Sequence, residues 1–80
     1  MATEDRTPIV YTKPQCGQCD MTKMLMDKLD VKYRAVDISQ DAEALALVKE
    51  MGYMSAPVIV SGDDHWSGFR PDKIKNLSAA

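Results

Sequence analysis

Apolar and polar positions along the chain follow two alternating periods, which predict short strands separated by helices. Residues 8–12 form a β-branched and aromatic run next to a proline, which is typical of a strand. From position 17 to about position 29, apolar residues recur at helical spacing, which predicts a first helix. The residues predicted to face inward from this helix are Met21, Met24, Leu25 and Leu29.

The middle of the chain repeats this alternation. Residues 33–38 return to strand character, and residues 42–51 predict a second helix. We expect Ser39 to cap the start of this second helix and Val48 to face inward from it. Gly52 follows the predicted helix, at a position where a left-handed backbone conformation commonly ends one.

The last third of the chain predicts a hairpin and a final helix. Residues 57–60 are apolar throughout and predict a central strand, residues 62–64 a turn, and residues 65–67 a short fourth strand. Pro71 suits the first position of a last helix that ends near Leu77. The predicted order is β-α-β-α-β-β-α, with a parallel first pair of strands and an antiparallel hairpin. The fold class is therefore α/β, a four-stranded mixed sheet flanked by three helices.

Composition and charge fit one compact domain. The chain has 80 residues, a net charge of −2 and 45% hydrophobic residues. No apolar run approaches the ~20 residues of a membrane span, and no long basic run points to nucleic acid as a partner. Residues 1–7 lack the apolar stretch of a signal peptide, so we interpret them as a flexible tail before a single domain over residues 8–80. A cytoplasmic location is expected.

The chemistry of the chain is predicted to reside in its two cysteines, Cys16 and Cys19, between the first strand and the first helix. A disulfide between them closes so short a loop that it would stabilise the fold little. A helix N-terminus favours thiolate over thiol, and the thiolate is the attacking species. We expect Cys16 to be the exposed nucleophile and Cys19 to resolve the mixed disulfide. Gly17 would keep the rim low, and Lys13 would favour the thiolate.

Two other uses of the cysteine pair remain as alternatives. The pair could be structural, although the loop that it closes is small. A zinc site needs about four ligands, and His65 is the only further candidate, so no metal site is expected in a single chain. A dimer that shares its cysteine pairs could still hold zinc or an iron–sulfur cluster, which would make the protein a binding module.

Three segments resemble one family. The first reads Tyr-Thr-Lys-Pro-x-Cys-x-Gln-Cys over residues 11–19, the second Ala-Pro-Val over 56–58, and the third Trp-Ser-Gly-Phe-Arg-Pro-Asp over 66–72. Together they resemble the NrdH-redoxins, glutaredoxin-like proteins that reduce class Ib ribonucleotide reductase. The resemblance extends from about residue 9 to residue 77, and the third segment is far more specific than the cysteine motif alone.

The resemblance implies a thioredoxin fold in which Cys16 and Cys19 are the redox pair and Pro57 is preceded by a cis peptide bond. Ala56 would offer its backbone to an extended substrate segment. Residues 66–70 would lie beside the thiols and shape the surface for the partner. The residues expected to contact a substrate or partner are Lys13, Gly17, Gln18, Ala56, Pro57, Trp66, Ser67, Gly68, Phe69 and Arg70.

The resemblance also implies a source and a destination for the electrons. Thioredoxin reductase and NADPH would recharge the protein, and the large subunit of class Ib ribonucleotide reductase would receive the electrons. A monomer with no bound cofactor is expected, and NADPH would act only through the reductase. The alternative within the same fold is a glutathione-dependent glutaredoxin. Gly17, Gln18 and residues 66–69 differ from the pattern of that class.

Overall fold

The computed structural model describes residues 7–78, and its elements follow the predicted order. The predicted tail lies, apart from Thr7, outside the described residues. The elements are β1 (Ile9–Thr12), α1 (Gly17–Lys28), β2 (Arg34–Asp37), α2 (Ala42–Glu50), β3 (Val58–Ser61), β4 (Asp64–Ser67) and α3 (Pro71–Ser78). Within residues 7–78, every helix is too short or too polar to cross a bilayer.

The four strands form one mixed sheet in the order β2-β1-β3-β4. β1 and β2 are parallel, with Ile9 opposite Arg34 and Thr12 opposite Asp37. β3 pairs antiparallel with both β1 and β4, which confirms the predicted central position of this apolar strand. The parallel first pair, the hairpin and the flanking helices confirm the predicted fold class.

Each face of the sheet has its own core, because successive side chains of a strand point to opposite faces. One core joins strand residues to Met26 of α1 and Ile74 of α3, and the other joins strand residues to Ala44 and Val48 of α2. Helices α1 and α3 therefore cover one face and α2 covers the other. This sandwich holds the end of β1 and the start of α1 in a fixed position.

The predicted inner face of α1 is partly wrong. Met21 is 49% exposed and Met24 is 69% exposed. The fully buried positions are instead Cys19, Thr22 and Met26, which follow one another at the same three- and four-residue spacing. The helix is rotated because Cys19 is turned inward toward Cys16 and Met26 fills the core, so the more hydrophobic side chains do not all face inward.

The predicted cap of α2 is also wrong. Asp41, directly before the helix, accepts a hydrogen bond through Oδ1 from the Ala44 N–H at 3.0 Å. Ser39 instead donates its N–H and its hydroxyl to Asp37 Oδ1, at 2.9 and 2.6 Å. These two bonds lower the pKa of the Asp37 carboxyl. Both Ser39 and Asp41 are residue types that favour the N-cap position, and Asp41 occupies it because it directly precedes the helix.

Several boundaries differ from the prediction by one or two residues. β2 is shorter than residues 33–38, and β3 begins at Val58 because Pro57 has no N–H to donate to the ladder. Asp64 belongs to β4 and not to the turn. Gly52 has φ +95°, which confirms the left-handed residue predicted after α2.

Candidate functional site

Cys16 and Cys19 form a disulfide at the junction of β1 and α1, with their Cα atoms 5.2 Å apart. Cys16 is the N-cap of α1 and has an extended backbone conformation, φ −122° and ψ 103°. Its Sγ accepts a hydrogen bond from the Cys19 N–H at 3.1 Å. An unpaired N–H at the positive end of a helix stabilises negative charge on the sulfur that it contacts. The geometry therefore favours Cys16 as the sulfur that carries charge during thiol–disulfide exchange.

The exposures of the two sulfur-bearing side chains differ. Cys19 is completely buried, and Cys16 is only 8% exposed. Cys16 is thus far less accessible than the sequence indicated, because its sulfur is bonded to the buried Cys19 and lies 3.7 Å from the Ala56 carbonyl oxygen. An incoming sulfur can reach only the small exposed part of Cys16. Cys19 can act only from inside the protein, once Cys16 has reacted.

The loop before β3 forms one side of the opening. The Ala56–Pro57 peptide bond is cis, as the resemblance implied. The Ala56 carbonyl oxygen lies 3.7 Å from Cys16 Sγ. When Cys16 is a thiol, this carbonyl can accept a hydrogen bond from it. An extended substrate chain that paired with the Ala56 backbone would run directly past the reactive sulfur.

Residues 67–70, from the last residue of β4 to the residue before α3, form a second side, which we call the anchored flank. The Gly68 N–H donates to the Pro57 carbonyl oxygen at 2.9 Å. The Phe69 N–H donates to Gln18 Oε1 at 3.1 Å. Gly68 has φ +85°, and an added Cβ would lie 3.2 Å from Gln18 Oε1. These contacts fasten the segment to the proline loop and to the first turn of α1, and they leave little room for a side chain at position 68.

Trp66 does not reach the surface where a partner would bind. Its side chain is 4% exposed and packs in the core with Ile59 and Ile74. Lys73 Nζ lies 5.4 Å from the centre of its ring. The prediction that this side chain contacts a partner is therefore corrected, since a buried indole supports the anchored flank from below.

The other members of the predicted segment remain at the surface to different degrees. Ser67, Gly68 and Phe69 are half-buried, and Arg70 is exposed. Arg70 forms an ion pair with Asp72 at 3.0 Å, which raises the pKa of the guanidinium and lowers that of the carboxyl. The anchored flank thus presents half-buried residues beside the disulfide and a paired charge further out.

Lys13, Lys49 and residues 53–55 line a groove together with Ala56, and we call this set the open flank. Within residues 7–78, neither of the two ammonium groups forms an ion pair. Met54 is 94% exposed. The Tyr53 hydroxyl is hydrogen-bonded to His65 Nδ1 at 2.6 Å, which joins this flank to β4. Sequence reasoning included only Lys13 here. Residues 53–55 could have been found only from their position just before the Ala-Pro pair, and no sequence signal marks Lys49, which lies in α2.

Two further points of the prediction concern Gly17 and a possible metal site. Gly17 is exposed, and an added Cβ would meet no atom within 4 Å, so the rim is low at that point. Across residues 7–78, no group of three or more His, Cys, Asp or Glu side chains is placed to hold a metal ion. His65 is bonded to Tyr53 instead.

Comparisons with known proteins agree with this geometry. The sequence profile of the glutaredoxin family matches residues 9–66. The glutaredoxin-like protein NrdH of Escherichia coli is 35% identical over 71 residues, which cover 89% of this chain and 88% of that protein. The NrdH protein of Lactococcus lactis subsp. cremoris is 36% identical, with coverages of 86% and 96%.

Solved structures give the same result. The glutaredoxin-like NrdH-redoxin of E. coli, described as having a thioredoxin-like activity profile, superposes with a TM-score of 0.85 at 34% identity, covering 88% of this chain and 92% of that one. A buckwheat glutaredoxin in complex with glutathione superposes with a TM-score of 0.72 at 25% identity, covering 91% and 76%.

Proposed function

We propose that this chain, which belongs to the glutaredoxin family and is an NrdH-type thiol–disulfide oxidoreductase, donates electrons to class Ib ribonucleotide reductase. Thioredoxin reductase and NADPH recharge it in this proposal. The similarity to NrdH proteins supports the destination of the electrons. The thioredoxin-like activity profile of the E. coli relative supports the source.

One observation carries the choice of thioredoxin reductase over glutathione. On the anchored flank, a small carboxylate ligand such as glutathione would have to be held by free backbone N–H groups, because the Arg70 guanidinium is already paired with Asp72. The Gly68 N–H is already bonded to Pro57 and the Phe69 N–H to Gln18. The backbone N–H groups of Gly68 and Phe69 are therefore both engaged within the protein. A protein reductase does not depend on them, since it can pair with the backbone at Ala56.

The reaction cycle follows from the positions of the two sulfurs. The Cys16 thiolate attacks one sulfur of the substrate disulfide, which forms a Cys16–substrate disulfide and releases the other substrate sulfur as a thiolate that takes up a proton. The Cys19 thiolate then attacks Cys16 Sγ, restores the Cys16–Cys19 disulfide and releases the second substrate thiol. Two electrons pass to the substrate, and the protein is left oxidised, as in the structure.

Surrounding groups assist this exchange in defined ways. The Cys19 N–H stabilises charge on Cys16, both when it attacks and when it leaves. Complete burial of Cys19 prevents it from attacking substrates directly. The low rim at Gly17 admits the partner's backbone.

The test is NADPH-driven reduction of a model disulfide by the pure protein, once with thioredoxin reductase and once with glutathione and glutathione reductase. We expect turnover with the first system to exceed that with the second by about tenfold or more, which corresponds to roughly 1.4 kcal/mol in transition-state stabilisation. Turnover with glutathione alone would instead make the protein a glutathione-dependent glutaredoxin. A protein isolated as a coloured dimer with stoichiometric metal would point to the binding-module alternative.

A trapping experiment tests the partner and the order of the cysteines. Cys19→Ser should accumulate a mixed disulfide with the large subunit of ribonucleotide reductase through Cys16, because the resolving sulfur is missing. Mass spectrometry of the cross-linked peptide identifies both cysteines. Cys16→Ser is the matched control and should trap none. Equal trapping by both variants would show that the assignment of Cys16 as nucleophile and Cys19 as resolving cysteine is wrong.

A further inference from the structure

Thr22 carries a buried hydroxyl group that has no use in the oxidised protein. Its side chain is completely buried. Within residues 7–78, Thr22 Oγ1 has no hydrogen-bond partner, although a threonine inside a helix commonly donates to a carbonyl oxygen of the preceding turn. An unpaired hydroxyl in the core costs free energy. This cost points to a state of the protein, other than the disulfide form, in which the hydroxyl is paired.

The position of Thr22 relates it to the resolving cysteine. Thr22 lies one turn after Cys19 on the buried face of α1. Side chains three positions apart on a helix are neighbours, with their Cβ atoms about 5–6 Å apart. Helical side chains also lean toward the N-terminus of their helix, so the Thr22 side chain leans toward the turn that contains Cys19. Two further buried polar atoms have no partner within residues 7–78, Thr12 Oγ1 and Trp66 Nε1, but both belong to strands.

Cys19 needs a donor of this kind in the second half of the reaction cycle. Its side chain is completely buried, and a thiolate there is costly unless a hydrogen bond or a charge stabilises it. Within residues 7–78, no charged side chain is buried, and the buried polar residues are Thr12 and Thr22. In the disulfide, the Cys19 sulfur is bonded to Cys16 and is only a weak acceptor. Once it is free and charged, it becomes a strong acceptor.

From this arrangement we infer that Thr22 is a positioning residue for the resolving step, in which its hydroxyl donates a hydrogen bond to the Cys19 thiolate. In that step the thiolate forms a bond to Cys16 Sγ, the bond between Cys16 Sγ and the substrate sulfur breaks, and the substrate sulfur leaves with the electron pair. In the net balance, the proton lost by Cys19 is taken up by the substrate sulfur, and Thr22 keeps its own proton. The inference rests on the order of attack in the proposed function, Cys16 first and Cys19 second.

The test follows the two attacks separately, with the reduced protein, dithiodipyridine and no reductase. Each attack releases one pyridine thiol, whose absorbance is recorded by stopped flow. The rate of the first phase, attack by Cys16, depends on the concentration of the reagent, and the rate of the second phase, attack by Cys19, does not. Cys19→Ser identifies the phases, because it should retain only the first. The second phase is measured over about pH 5–10, which spans the ordinary range of thiol ionisation.

Thr22→Val replaces the hydroxyl with a methyl group, so the pH at which the second phase is half-maximal should rise by about one unit. Below this midpoint the second phase should be about threefold slower than in the unaltered protein, because a tenfold loss of thiolate is partly offset by its greater nucleophilicity. Above the midpoint it should be about threefold faster, because the thiolate no longer accepts the hydrogen bond. The charged pairs Asp20 with Lys23 and Arg70 with Asp72 lie at the surface and are the same in every variant.

Thr22→Ser is the matched control, since it keeps the hydroxyl and loses only a methyl group. Stability and chemistry should change in opposite directions in the two variants. In the oxidised form, Thr22→Val should resist urea at least as well as the unaltered protein, because an unpaired buried hydroxyl is removed. Thr22→Ser should resist urea less well, because a buried methyl group is lost, and yet it should keep the pH midpoint of the unaltered protein.

Two results would overturn the inference: a Thr22→Val variant that keeps the midpoint, or a Thr22→Ser variant that shifts it as far as Thr22→Val does. A failure of the proposed function would look different. A wrong order of attack would show as a first phase that Cys16→Ser retains and Cys19→Ser loses. A wrong source of electrons would leave all these rates unchanged, because no reductase takes part in the assay.

Discussion

Both flanks of the disulfide are hydrogen-bonded to other segments, but they differ in the groups that they leave exposed. The anchored flank is held by backbone hydrogen bonds from Gly68 and Phe69 to groups on two other segments. On the open flank the exposed groups, Met54 and the ammonium groups of Lys13 and Lys49, have no such partners within residues 7–78. The anchored flank therefore has its Gly68 and Phe69 N–H groups bonded within the protein, whereas the open flank exposes two unpaired ammonium groups and an apolar side chain.

This difference indicates what each flank does. A segment whose donors are already bonded excludes small ligands that would need them, and it gives the opening a fixed shape. A surface with free ammonium groups and an exposed methionine is available to a larger partner. In the proposed function, selectivity is divided: the anchored flank limits the binding of small ligands, and the open flank is available to a partner protein.

The largest expected effect concerns the support of the anchored flank. Trp66→Ala should lower the free energy of unfolding by about 3–5 kcal/mol, because it removes a large buried side chain and leaves a cavity. Met54→Ala, on the open flank, should change it by less than about 0.5 kcal/mol. Urea denaturation followed by circular dichroism measures both. A small effect of Trp66→Ala would mean that the indole belongs to the surface after all.

A second prediction compares two glycines at the rim. Gly68→Ala should cost about 1–2 kcal/mol, because an L-residue is strained at φ +85° and its Cβ would press on Gln18. Gly17→Ala is the matched control and should be neutral or stabilising by up to about 1 kcal/mol, since it lies in a helix with open space around it. If both variants lost equal stability, the difference assigned to the backbone of residue 68 would be wrong.

Gln18 is the residue that fastens the anchored flank to α1. Gln18→Ala should lower the unfolding free energy by about 0.5–1.5 kcal/mol, because it removes the acceptor for the Phe69 N–H. It should also raise the rate with glutathione relative to thioredoxin reductase, since that N–H becomes free. Gln18→Glu keeps an acceptor oxygen and should retain both the stability and the preference for thioredoxin reductase. If the ratio of the glutathione rate to the thioredoxin reductase rate were unchanged in Gln18→Ala, the hydrogen bond from Phe69 to Gln18 would have no part in the choice of reductant.

The smallest expected effect is electrostatic. The pKa of the Asp72 carboxyl is lowered because it accepts hydrogen bonds from Arg70. A carboxyl with a lowered folded-state pKa adds stability above its unfolded pKa of about 3.9, and this stability is lost as the pH falls through the folded value. In Asp72→Asn, the free energy of unfolding, measured by urea denaturation at a series of pH values, should therefore depend less on pH than in the unaltered protein, and only below about pH 4. A change confined to neutral pH would contradict this cause.

Much of the fold follows from local patterns. Strand and helix periods are set by neighbours in sequence, so the order of elements and the central position of β3 could be predicted. The position of Cys16 and Cys19 at a helix start follows from the same patterns, because the helix was predicted from position 17 and α1 begins at Gly17. The left-handed Gly52 was predictable because only glycine adopts that conformation without cost.

Other features depend on contacts between distant segments. Gln18 and Phe69 are 51 positions apart, and no pattern in either segment predicts that they are bonded. The rotation of α1, which exposes Met21 and Met24, results from the fit of Cys19 and Met26 to their surroundings. The burial of Trp66 is decided by the packing of α3 against the sheet. The cis bond before Pro57 was expected only from the resemblance, since few such bonds are cis in general.

The most direct test of the central claim is a single-turnover reaction of class Ib ribonucleotide reductase with the pre-reduced protein as the only electron donor. The account predicts one deoxynucleotide for each Cys16–Cys19 dithiol consumed, with the disulfide formed in equal amount. It also predicts no product when Cys16→Ser replaces the protein. Absence of product with the unaltered protein, while dithiothreitol supports the same enzyme, would contradict the claim and leave a general disulfide reductant with another target.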